Sequence, residues 1–110
     1  MRFLVTLDGS NVAAMPPERL VHVFDQMIIP GIEQLARWEQ EGRIHGGSYT
    51  GGRGGVFIID ADSSDEVDQL VTSLPHWGLV KVDVKPLISA SASLERAQAQ
   101  RQRLQERVSR

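Results

Sequence analysis

Apolar residues recur along this chain with two different periods. Phe3-Leu-Val-Thr-Leu7 is rich in apolar and β-branched residues and predicts an opening strand, closed by the turn signal Asp8-Gly9-Ser10-Asn11. From Pro17 to Glu41 the period changes. Leu20, Phe24, Met27, Gly31, Leu35 and Trp38 fall three or four apart, one apolar stripe of a helix. Pro16-Pro17 suits the entry to that helix, where a missing N–H costs nothing, and Gly42 suits its C-terminal cap. Pro30 removes one helical hydrogen bond, which predicts a kink or split beside the weak Gly31.

Further along, Arg43 to Tyr49 predicts a second, glycine-weakened strand, and Gly51-Gly-Arg-Gly-Gly55 a turn. Val56 to Asp60 predicts a buried strand. Ser63-Ser-Asp-Glu66 has the spacing of a capping box, opening a helix with Val67, Leu70, Val71 and Leu74 on its apolar face and Pro75 as its stop. Leu79 to Val84 alternates, with Val80, Val82 and Val84 on one face. Ser89 to Ser93 reads as a small-residue hinge. Leu94 to Val108 predicts a polar helix with Leu94, Ala97, Arg101, Leu104 and Val108 along one thin seam. The order β-α-β-β-α-β predicts an α+β fold of ferredoxin-like type over residues 1–88, with a four-stranded antiparallel sheet. Residues 89–110 form a hinge and a C-terminal helical extension. Two helices cover one sheet face, so an identical sheet from a second chain is the expected cover for the other, giving a homodimer or a larger assembly of dimers.

A length of 110 residues limits the chain to one ordinary domain. Its longest apolar runs fall far short of the ~20 residues that span a bilayer, so no membrane association is expected. No cationic and apolar leader opens the chain, and the expected location is the cytoplasm. The absence of Cys excludes thiolate metal sites and cysteine nucleophiles. Charge is unevenly placed: residues 1–93 carry seven Lys/Arg against twelve Asp/Glu, whereas residues 94–110 carry five Arg against two Glu. An acidic body is unsuited to nucleic acid. The basic tail, without an aromatic for stacking, suits an acidic protein surface instead.

Taken together, several segments are similar to the muconolactone isomerase-like branch of the dimeric α/β-barrel superfamily. They are Phe3-Leu-Val-Thr-Leu7, the proline-led helix ending Glu39-Gln-Glu-Gly42, Val56-Phe-Ile-Ile-Asp60 followed by Ser63-Ser-Asp-Glu66, Leu74-Pro75 before an aromatic, and Val82-Asp-Val-Lys-Pro-Leu87. The resemblance covers about residues 2–88. It implies a dimeric α/β barrel and a small enzyme working without metal or cofactor: an isomerase or cyclase moving a proton on an enolisable lactone or an aromatic or polyketide-type substrate. Relatives of the fold also include cofactor-free monooxygenases acting on phenolic polyketides. A non-catalytic dimeric ligand-binding protein is the third alternative.

Histidine is the natural acid/base at neutral pH. His45 and Tyr49 share strand parity and could shuttle a proton to a bound enol, and His76 follows Leu74-Pro75 beside Trp77. These make His45, Tyr49 and His76 the candidate catalytic residues. Phe24, Met27 and Trp77 are the candidate apolar walls for a small-molecule substrate, and Arg53 a clamp for a carboxylate. His22 with Asp25, three apart on the first helix, reads as a surface pair. No His-x-His or His-x-x-x-His spacing occurs, so no metal site is expected.

Overall fold

The computed structural model describes residues 1–9, 15–51 and 53–109. Ser10 and Asn11 of the first turn, and Gly52 of the second, lie outside the described residues. Strand β1 (Arg2–Asp8) leads to helix α1 (Pro17–Val23), a single π-helical turn (Phe24–Ile28) and helix α2 (Ile29–Gln40). Strands β2 (Ile44–Ser48) and β3 (Gly54–Asp60) form a hairpin. Helix α3 (Ser64–Thr72), a 3₁₀ turn (Trp77–Leu79), strand β4 (Lys81–Leu87) and helix α4 (Ala90–Val108) complete the chain.

The four strands form one antiparallel sheet in the order β2-β3-β1-β4. Alternation sorts its faces. Phe3, Val5, Leu7, Phe57 and Ile59 are buried on one face with Trp38 of α2 and Val67 and Val71 of α3, so both helical layers lie on that side. The other face carries half-buried Leu4, Val56, Ile58 and Leu87.

Local chemistry accounts for the helix ends. Pro17 opens α1 at a position where no N–H is needed. At the end of α2, the Gly42 N–H donates to the Glu39 carbonyl and the Arg43 N–H to that of Trp38, with Gly42 at φ +74°. This is a Schellman cap, and its left-handed residue is the expected glycine. Ser63 caps α3 by accepting the Glu66 N–H at 3.2 Å. The reciprocal bond differs from the expected box: the Glu66 carboxylate accepts the N–H of Asp62, not that of Ser63.

Three elements differ from the sequence expectation. The helix is not split at Pro30. The strain is taken up one turn earlier, where the Ile29 N–H reaches back to the Phe24 carbonyl, five residues away. A widened turn makes room for a proline ring that would otherwise strike the carbonyl four residues before it. Second, most of Ser89–Ser93 is helical. Ser89 accepts the Ala92 N–H at 3.1 Å and caps α4, so the small residues form its first turn. Third, Gly54 and Gly55 belong to β3 rather than to the turn before it.

Replacing Ser63 by Ala removes the cap of α3. The expected cost is about 1 kcal/mol, read as a midpoint of thermal unfolding lower by about 4 °C. An unchanged midpoint would show that the cap carries no stability.

Candidate functional site

Beside the hairpin, strands β2 and β3 approach each other and β1 so closely that side chains do not fit. A Cβ on Gly46 would lie 2.2 Å from the Val56 carbonyl oxygen, one on Gly55 2.6 Å from that of Gly47, and one on Gly54 1.9 Å from that of Leu7. Gly54 also holds φ +138°, which L side chains rarely adopt. Register sets Gly46 opposite Phe57 and Ser48 opposite Gly55 on the helix-facing side. That corner of the sheet therefore presents almost no side chain to the helix above it.

The missing volume is an apolar cleft of about 420 Å³. Phe24, Ile28, Ile32 and Leu35 of the helical run form its roof, Leu7, Ile44 and Phe57 its floor, and Leu79 and Val80 a further wall. Four side chains bring polar atoms: Glu39, Ser48, Arg53 and His76. Glu39 and Arg53 are exposed and stand at the rim, whereas His76 is 6% exposed. Such a wall, mostly apolar with a few polar groups, is the usual make-up of a small-molecule site.

His76 owes its place to Gly31. A Cβ on Gly31 would fall 1.8 Å from the His76 Nδ1, so the helix passes over the imidazole only because residue 31 has no side chain. Nδ1 is buried there without a hydrogen-bond partner among the described residues. An orphaned group of this kind costs about 1–3 kcal/mol. Burial also pushes the imidazole below its ordinary pKa of 6.5, so the ring is neutral at physiological pH.

Three of the seven residues singled out from the sequence meet in this cleft: His76, Phe24 and Arg53. Four do not line it. His45 pairs with Ile58 and is exposed on the opposite sheet face, and Tyr49 is exposed just beyond the end of β2. Trp77 is 48% exposed on the 3₁₀ turn. Met27 is 41% exposed and does not line the cleft, whereas Ile28 and Ile32 of the same helical run do. Ile28, Ile32, Glu39, Ser48 and the Gly31 contact were not anticipated. Pro30, next to the π turn, was the only signal that the inward residues would differ.

Among the described residues, no group of three or more His, Asp or Glu is placed to hold a metal ion, and no helix is long and apolar enough to cross a membrane. No protein-family model matches the chain, and no curated protein matches it.

Gly31→Ala should destabilise the fold although alanine is the better helix former, because overpacking costs about 1–3 kcal/mol against a propensity gain of about 1. Combining it with His76→Ala should cost less than the sum of the two single changes in denaturant unfolding. Strict additivity would show that the two residues are not in contact. The lowered His76 pKa also fixes a pH dependence. The unfolded chain binds a proton near 6.5 while the folded chain resists it, so stability is fully present above pH 6.5 and falls as pH drops from there toward the folded value. His76→Gln should flatten that part of the stability profile, and an identical slope in the variant would assign it elsewhere.

Proposed function

We propose that the cleft is the active site of a small cofactor-independent isomerase or cyclase that moves a proton on an enolisable, mainly apolar substrate. The observation that carries this reading is a neutral, buried histidine in the wall of an otherwise apolar cleft. Perturbed titratable groups in clefts are the usual mark of proton-transfer sites.

With Nδ1 sealed against Gly31, Nε2 is the nitrogen left for the cleft. An orphaned buried lone pair is more readily tolerated than an orphaned N–H, which favours the tautomer with its proton on Nε2. In that form His76 donates a hydrogen bond to a substrate carbonyl oxygen. The Glu39 carboxylate is the base that takes the proton from the adjacent carbon. The C–H electron pair passes into the carbonyl group and the oxygen becomes an enolate, held by His76 and by the Arg53 guanidinium. Return of the proton to a different carbon completes an isomerisation. Attack of the enolate carbon on a second carbonyl of the same molecule breaks that C=O π bond, and the alkoxide so formed takes the proton held on Glu39, which completes a cyclisation. An apolar wall strengthens each of these charge interactions at the moment charge develops. Arg53 equally suits a carboxylate on the substrate.

The same reading takes the fold as ferredoxin-like and the protein as a homodimer. The chain order βαββαβ and the antiparallel order β2-β3-β1-β4 support the first. Half-buried Leu4, Val56, Ile58 and Leu87 on the sheet face without helices support the second.

The test is solvent-deuterium uptake into a panel of enolisable lactones and β-dicarbonyl compounds, followed by proton NMR. Enzyme-dependent uptake is expected. His76→Ala and Glu39→Gln should each lower its rate by about 10²–10⁴-fold, with His45→Ala close to the unmodified protein. No uptake with any of the panel, or full activity without His76, would contradict the proposal.

A further inference from the structure

Helix α4 leaves the body of the molecule. Of its nineteen residues all but half-buried Ala92 are exposed, and the molecule measures 68 Å along one axis against 31 and 25 Å along the others. The radius of gyration is 19.0 Å, whereas a compact chain of this length would have about 13 Å. A lone helix of this length is marginal in water.

Its side chains are sorted by face. At about 100° per residue, Ala97, Arg101, Leu104 and Val108 fall within about 60° of one another, with Leu94 at the edge of that stripe. Arg101 lies inside the stripe and Arg107 beside it. Glu95 and Glu106 fall on the far side of the helix. The exposed apolar stripe, with Leu94 and Leu104 each 59% exposed and Val108 82%, is thus bordered by cations and kept clear of acids.

The body carries a surface of opposite character. A groove of about 490 Å³ runs between α3 and β4, away from the cleft already described. Met1, Phe3, Val84 and Pro86 line it, and Asp65 and Asp68 stand on its α3 side. Asp62 and Glu66 add to the acidity of that stretch, although Glu66 already faces Arg43 at 3.8 Å.

We propose that α4 of one copy lies in the α3–β4 groove of a second copy, its apolar stripe on Val84 and Pro86 and its Arg101 against Asp65 and Asp68. Three observations choose a second copy as the occupant. The groove and the helix are opposite in charge, and each carries apolar residues. The arm is rigidly capped by Ser89 and directed outward, so it does not return to its own groove. Self-pairing of two α4 helices would set Arg101 against Arg101 in the seam, which the groove avoids. This contact does not depend on the reading of the cleft.

The absence of cysteine gives a clean test. Gln105→Cys marks the helix beside its stripe, and Ser64→Cys marks the groove; both sites are exposed. The two single variants are mixed, joined with a short bis-maleimide and mapped by mass spectrometry. A two-chain species linked from 105 to 64 is expected. Adding Arg101→Glu should lower its yield about fivefold, and further adding Asp65→Lys and Asp68→Lys should restore it. No 105–64 link in the mixture would overturn the proposal. So would a yield indifferent to Arg101→Glu. A link formed within single chains of the doubly substituted protein in dilute solution would also overturn it, by assigning α4 to its own groove.

Discussion

The close approach of β1, β2 and β3 at the hairpin is the constraint from which the rest follows. Gly46, Gly54 and Gly55 cannot carry a Cβ without striking a neighbouring backbone. Strands that meet this tightly keep their hydrogen bonds, but at Gly46 and Gly55 they present no side chain to the layer above. The core is therefore built at the other end of the sheet, where Phe3, Val5, Ile59, Val67 and Leu74 are at most 1% exposed. Over the glycine corner the space between the helix and the floor of Leu7, Ile44 and Phe57 remains a cleft. Burial of apolar surface, at about 25 cal/mol per Å², holds the fold at that end, and the glycine corner stays unfilled.

Fold and site are coupled again at Gly31. A glycine within a helix costs roughly 0.5–1 kcal/mol relative to alanine, and the orphaned His76 Nδ1 costs more. Both costs fall on the same contact, and no packing advantage to the core offsets them. What the contact secures is an imidazole held by one edge, kept neutral by burial and confined to the wall of the cleft. The π turn contributes by a different route. It lies next to Pro30 in the helical run whose Ile28 and Ile32, rather than Met27, line the cleft. Local violations of regular structure thus cluster around one cavity, as they do at functional sites.

Periodicity and capping chemistry made the element order legible in the sequence. The alternation in β4, the Ser63 cap, the Pro17 start and the Gly42 stop of the long helix all act within a few residues, where local patterns are informative. His76, Phe24 and Arg53 stand out in the sequence by their chemistry, and all three line the cleft. Other features depend on contacts distant in sequence. Parity put His45 and Tyr49 together as candidates, but only the pairing of Gly46 with Phe57 shows which sheet face holds the cleft, and His45 lies on the other. The glycines looked like a turn because their partners, Leu7 and Val56, lie outside any local window. Gly31 looked like a weak point in a helix until His76, 45 residues later, was found beneath it. Small residues serve hinges and capped helix starts alike, and Ser89–Ser93 takes the form of a capped start.

The central claim is that His76 is a neutral, cleft-facing imidazole held by Gly31. Long-range proton–nitrogen NMR of the three histidines, recorded across pH and then with a planar enolate analogue, tests it most directly. The His76 ring should remain neutral as pH falls through 6.5, and its Nε2 signal should move when the analogue is added while its Nδ1 signal stays nearly fixed. A His76 ring that titrates at 6.5 and ignores the analogue would contradict the claim.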